Sequence, residues 1–226
     1  MTAKTELLPC VEVGPKTGAK AAVIWMHGLG ADGHDFEPVV PQLGLDPRAA
    51  VRFVFPHAPA IPVTLNGGYV MPAWYDIKDA DLKNRHDEAG IRESARRIEA
   101  LIAREIERGV PARKIVLAGF SQGGAMAVHV ALRHAQPLAG LVALSTYLVC
   151  GDKVDAELNS ANRGIAVFAA HGTQDPMVRY ERGTALRDKL AALGCDMTWR
   201  EYPMPHAVCL EEIVEIGAWL RARLGS

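Results

Sequence analysis

Ser121, Asp175 and His206 have the types, and occur in the order, that acyl-bond cleavage by a serine nucleophile requires. Ser121 is the centre of Gly119-Phe120-Ser121-Gln122-Gly123, a G-x-S-x-G between the apolar run Lys114–Ala118 and a helical pattern beginning near Gly124. A serine on such a strand-to-helix turn sits on strained backbone. The flanking positions are glycine because side chains there would collide with the neighbouring strand and helix. A serine hydroxyl attacks near neutral pH only if a base takes its proton, and histidine titrates in the right range to do so. A buried carboxylate then fixes the imidazole tautomer and stabilises the imidazolium. Asp175 lies in His171-Gly172-Thr173-Gln174-Asp175-Pro176-Met177-Val178, beyond the run Ile165–Ala170. His206 follows Met197–Tyr202 through Pro203-Met204-Pro205. All three therefore fall beyond the carboxyl ends of expected strands, where open α/β sheets place their ligands.

The same chemistry needs N–H donors for the charge on the tetrahedral intermediate, each worth about 3 kcal/mol of barrier. One is expected from Gln122, directly after the nucleophile. The other is assigned to Leu29, in His27-Gly28-Leu29-Gly30-Ala31-Asp32-Gly33-His34 beyond the run Ala21–Met26, where glycines let the backbone turn its N–H groups inward. That loop is also a literal G-x-G-x-x-G, the form of a dinucleotide signature. A dinucleotide site needs an acid at the end of the next strand. Val51-Arg52-Phe53-Val54-Phe55-Pro56-His57 offers none, and Pro38 and Pro41 break the intervening helix, so that reading is rejected. His27 and His171 each follow a strand and are read as bonding loop backbone. The eight histidines show no metal-ligand spacing, so no metal site is expected.

These residues must be positioned by strands, expected near Leu7–Val13, Ala21–Met26, Val51–Phe55, Lys114–Ala118, Gly140–Leu144, Ile165–Ala170 and Met197–Tyr202. Runs apolar throughout, such as Ile115–Ala118, suit parallel strands covered on both faces. Between them Ile91, Ala95, Ile98, Leu101, Ile102 and Ile106 recur at helical spacing, stopped by Gly109 and Pro111. Gln122–His134, Tyr180–Leu193 and Val208–Leu224 read as further helices. The alternation implies a mostly parallel central sheet with helices on both faces, its first strands pairing antiparallel at one edge. Residues 56–87 break the rhythm. Their prolines and glycines read as irregular, and their apolar content as a binding loop or lid above the sheet. One domain, 1–226, is expected.

A net charge of −1 excludes a general nucleic-acid binder. Arg92, Arg96, Arg97 and Arg104 interleave with Glu93, Glu99, Glu105 and Glu107 as on a solvated helix face. No apolar run is long enough to span a membrane, and the first residues carry no secretory signal. Cys10, Cys150, Cys195 and Cys209 are far apart, so a cytoplasmic protein with free thiols is the reading, Cys209 being a small packing residue.

With these residues in view the chain resembles the carboxylesterase and acyl-protein thioesterase (lysophospholipase-like) family of α/β-hydrolases. The resemblance rests on the Leu29 loop from His27 to Phe36, Met71-Pro72-Ala73-Trp74-Tyr75-Asp76-Ile77, the elbow from Gly119 to Ala125, and the acid loop. It spans about Val23 to Leu220. It implies the α/β-hydrolase fold, a Ser121–Asp175–His206 triad, Leu29 and Gln122 as oxyanion donors, no cofactor or metal, and a homodimer. Pro205 departs from the glycine that many members carry before the histidine; proline fixes φ and stiffens that loop. Leu65, Met71, Trp74, Tyr75, Met177 and Val178 are expected to wall an apolar acyl groove. The expected substrates are short- to medium-chain carboxylic esters, with thioesters included. The alternative is an acyl-protein thioesterase or lysophospholipase acting on long chains. A ligand-binding protein without catalysis is disfavoured because no part of the machinery is missing.

Overall fold

Apolar runs that can be covered on both faces become parallel strands, and they do so here. The computed structural model describes residues 6–78 and 87–225. Its strands are β1 (Cys10–Val13), β2 (Ala21–Met26), β3 (Val51–Pro56), β4 (Ala60–Val63), β5 (Tyr69–Pro72), β6 (Ile115–Phe120), β7 (Gly140–Leu144), β8 (Ala166–Gly172) and β9 (Asp196–Tyr202). The helices are α1 (Glu88–Glu107), α2 (Gln122–Ala131), α3 (Val154–Glu157), α4 (Tyr180–Ala192) and α5 (Leu210–Leu224). Among the described residues seven strands form one sheet in the order β1-β3-β2-β6-β7-β8-β9. The antiparallel edge is narrower than the sequence suggested. Only β1 runs antiparallel, against β3, while β2 and β3 are parallel. A parallel pair needs a crossover, and the segment between β2 and β3, with a 3₁₀ helix at Glu37–Leu43, supplies it.

Strand side chains alternate between faces. Ala22, Ile24 and Met26 join Leu117, Leu141 and Val167 in a core under α1, α2 and α4. Ala21, Val23 and Trp25 face the other way, with Val116, Val142 and Phe168 against α5. Ile91, Ile98, Leu101 and Ile102 of α1 are fully buried, and Gly109 closes the helix at φ +94°. Glu105 contradicts the solvated-face reading. It is 0 % exposed and pairs at 2.6 Å with the equally buried Arg52 of β3. Arg52 also donates to the Pro15 and Lys16 carbonyls, so the charge is paired rather than stranded.

The segment read as irregular holds regular structure. β4 and β5 make a separate antiparallel hairpin, Ala60 opposite Pro72 and Val63 opposite Tyr69, turned by Gly67 and Gly68 at φ +65° and +81°. Leu65, Tyr69 and Val70 project from it into solvent. Residues 1–5, 79–86 and 226, parts of the expected single domain and of its 56–87 loop, lie outside the described residues.

Candidate active site

β6 ends at Phe120 and α2 starts at Gln122, so Ser121 makes the whole turn, at φ +54° and ψ −121°. A non-glycine residue holds such a conformation only where its surroundings over-determine it. Here the Ser121 N–H donates to the Leu144 carbonyl at 2.9 Å, and the Ser121 carbonyl accepts from Thr146 Oγ1 at 2.6 Å and from the Ala125 N–H at 3.1 Å. A Cβ on Gly119 would lie 2.3 Å from the Gly123 carbonyl oxygen. One on Gly123 would lie 2.4 Å from those of Met26 and His27. Both glycines are steric necessities.

Asp175 leaves β8 on the next loop and is 6 % exposed. Its Oδ1 accepts from the N–H groups of Met177 and Val178, each at 2.8 Å, and its Oδ2 faces His206 Nδ1 at 2.6 Å. A carboxylate that accepts this bond assigns the proton to Nδ1, leaving Nε2 with a lone pair. The loops carrying the two residues are joined by Thr173 N–H to the Tyr202 carbonyl (2.9 Å) and Gln174 N–H to that of Met204 (3.2 Å). They also close over Gly172, whose Cβ would meet the Met204 and Pro205 carbonyls at 2.3 and 2.5 Å. The His206 ring packs on Phe120, centroids 4.6 Å apart. Ser121 and His206 line one cavity of about 670 Å³ without a hydrogen bond between them. Such links are often loose before a substrate tightens them.

Leu29 and Gln122 line the same cavity. As the first residue of α2, Gln122 has an N–H that no helical carbonyl reaches. Leu65, Met177 and Val178 lie on the cavity wall; Met71, Trp74 and Tyr75 do not. Trp74 and Tyr75 are 1 % and 2 % exposed and belong to the core under α1 and α2, and half-buried Met71 packs against the same core. Among the wall residues that sequence reasoning passed over are the bulky Phe120, Ile77 and Tyr147. Tyr147 follows the carboxyl end of β7, a position the strand-end rule could have flagged. Its hydroxyl is 2.7 Å from that of Tyr75 behind it, and burial pushes its ionisation up to about 12. Asp35, Glu181, Arg179 and Arg182 also reach the cavity.

The two other loop histidines bond backbone. His171 Nε2 is 2.8 Å from the Val178 carbonyl. His27 Nδ1 is 2.7 Å from the Gly28 carbonyl, and its Nε2 accepts from the Ala58 N–H at 3.1 Å. Burial lowers the pKa of both. Cys209 is half-buried against the α5 core. Among the described residues no helix is long and apolar enough to cross a membrane.

A mostly parallel sheet with a strained serine after a central strand, and a carboxylate and an imidazole after later ones, is the architecture of an α/β-hydrolase. The chain belongs to the phospholipase/carboxylesterase family, whose profile matches residues 9–224. It is a serine hydrolase of the carboxylic-ester class. Acyl-protein thioesterase 1 of Neurospora crassa is 44 % identical over 214 residues, covering 90 % of this chain and 87 % of that protein. Among solved structures, Arabidopsis thaliana SOBER1 superposes with a TM-score of 0.85 at 28 % identity, covering 91 % of this chain and 100 % of that one. Zea mays acyl-protein thioesterase 2 does so with a TM-score of 0.84 at 28 % identity, covering 96 % and 99 %.

Proposed function

We propose that Ser121 is the nucleophile, His206 its base and Asp175 the residue that orients His206, in a two-step hydrolysis of acyl esters and thioesters. Ser121 Oγ attacks the acyl carbonyl carbon while His206 Nε2 takes its proton. The resulting oxyanion is held by the Leu29 and Gln122 N–H groups. His206 returns the proton to the departing alcohol or thiol, leaving an acyl-serine. Water, deprotonated by the same imidazole, then releases the carboxylic acid and restores Ser121. The observation that carries this reading is the pairing of His206 Nδ1 with buried Asp175 Oδ2 at 2.6 Å, with His206 and Ser121 on the wall of one cavity.

The acyl chain lies along Leu65, Phe120, Met177 and Val178. A cavity of about 670 Å³ falls within the usual range for small-ligand sites and leaves room beyond a short acyl group. That room, together with the thioesterase names of two similar proteins, favours the long-chain alternative beside the short- to medium-chain reading of the sequence, and thioesters alongside esters. Under this proposal the chain acts as one cytoplasmic domain, with residues 56–87 as its binding loop.

The test is hydrolysis of p-nitrophenyl esters graded from acetate to palmitate, beside a palmitoyl thioester, by wild type and Ser121→Ala. Ser121→Ala should lower kcat on the order of 10⁴-fold or more. Wild-type turnover should rise with chain length beyond acetate. Full turnover by the variant would remove Ser121 from the mechanism, and an optimum at acetate would restore the short-chain reading.

A further inference from the structure

Trp74 and His27 are buried beside the site and contribute nothing to the cavity wall, yet the Trp74 indole N–H and His27 Nδ1 both bond backbone of the Leu29 loop. The Trp74 indole N–H donates to the His27 carbonyl at 2.9 Å. His27 Nε2 is occupied by the Ala58 N–H, so the ring proton is on Nδ1 and donates to the Gly28 carbonyl. Burial lowers the pKa of this imidazole, which favours the neutral form that the bonding pattern uses. The Gly28 carbonyl belongs to the same planar trans peptide as the Leu29 N–H. The two point in opposite directions, so anchoring one aims the other.

The opposite donor is tied to the same tryptophan. Gln122 Oε1 accepts from the Trp74 backbone N–H at 2.8 Å, and Gln122 Nε2 donates to the Tyr75 carbonyl at 2.8 Å. The Gly30 N–H to the Pro72 carbonyl, 2.9 Å, clamps the loop once more from the far side. We propose that the side chains of His27, Trp74 and Gln122 form a buried brace that fixes the two oxyanion donors, Leu29 N–H and Gln122 N–H, relative to each other. This rests on the assignment of those donors proposed above. His27 and Trp74 are positioning residues: they act on the reacting oxygen only through the backbone they hold. Oxyanion donors work because they need no reorganisation as charge develops, so their mutual geometry is worth holding this firmly.

The test compares Trp74→Phe, which removes one N–H and keeps a buried ring, with His27→Ala and His27→Asn. Four quantities are read: kcat, KM, inhibition by an acyl trifluoromethyl ketone, and the thermal midpoint. The ketone forms a hemiketal with Ser121 whose oxyanion occupies the hole, whereas KM for a slow ester follows ground-state binding. Trp74→Phe and His27→Ala should lower kcat on the order of 10- to 100-fold, as a misplacement of about 1 Å does, with ketone inhibition weakened in step and KM within about threefold. His27→Asn, which keeps a donor near the Nδ1 position, should recover most of the loss. Unchanged kcat, or a lower kcat with undiminished ketone inhibition, would overturn the brace. If His27→Ala does not fold, Trp74→Phe decides alone. The underlying assignment fails separately: active Ser121→Ala removes the site, whereas inactive Ser121→Ala beside fully active Trp74→Phe removes only the brace.

Discussion

Two regions border the cavity, and they are built on opposite principles. On the side of Ser121 and Leu29, backbone and side-chain polar groups are buried and bonded, and several glycines leave no room for a Cβ. On the other side Leu65, on the β4–β5 hairpin, is 46 % exposed and Met177 is 68 % exposed, with little packed over either. The first region tolerates no displacement, because it must present fixed dipoles to a charge that exists only briefly. The second needs only to be apolar and near, because hydrophobic contact is non-directional. Reaction and acyl recognition are thus separable, and substitutions should sort by which parameter they change.

The largest effect after loss of the nucleophile should come from Asp175→Asn. It leaves the shape nearly unchanged but lets the His206 tautomer reverse. kcat should fall on the order of 10³–10⁴-fold with little change in KM, measured in the steady state on one ester. A loss of less than about tenfold would move the orienting role elsewhere. On the rim, Leu65→Ser or Met177→Ser should lower kcat/KM for a long-chain ester about three- to tenfold and leave acetate hydrolysis near wild type. Equal losses on both esters would dissolve the division between the two regions.

The smallest catalytic effect is expected at Glu212, in the first turn of α5 and not on the cavity wall. It is 0 % exposed, and burial pushes its pKa from 4.5 up to about 8 against the opposing pull of the Cys209 backbone N–H. Between those two values the folded chain holds a proton that the unfolded chain has lost, so stability falls as pH rises through that window. Glu212→Gln should therefore melt several degrees above wild type at pH 8 and show no such gain at pH 4, with turnover little changed. An equal shift at both pH values would mean that packing, not ionisation, is responsible.

The elements that carry Ser121, Asp175 and His206 were legible because their signals are local: an apolar run, then a loop with a distinctive residue. What escaped depends on partners distant in sequence. Glu105 reads as one more charge on a polar helix until Arg52 of β3 is placed against it. Trp74 and Tyr75 read as groove residues because aromatics in a loop near a site usually are. Their burial follows from α1 lying over that loop, where Ser94 donates to the Trp74 carbonyl. Pro62 and Pro72 suggested irregular backbone, yet proline is tolerated in a hairpin with only two strands, each of them an edge.

Ser121 leaves a strand in the middle of the sheet, whereas His206 leaves β9, the last strand at one edge. β9 is bonded to β8 on one side only, and most of its residues are partly or fully exposed. Edges of this kind open at lower free energy than a covered interior. Opening of that single edge would withdraw the base from an otherwise intact nucleophile and oxyanion pocket. Ester turnover is therefore a gauge of whether the final strand is docked, more sensitive to the margin of the fold than to its centre.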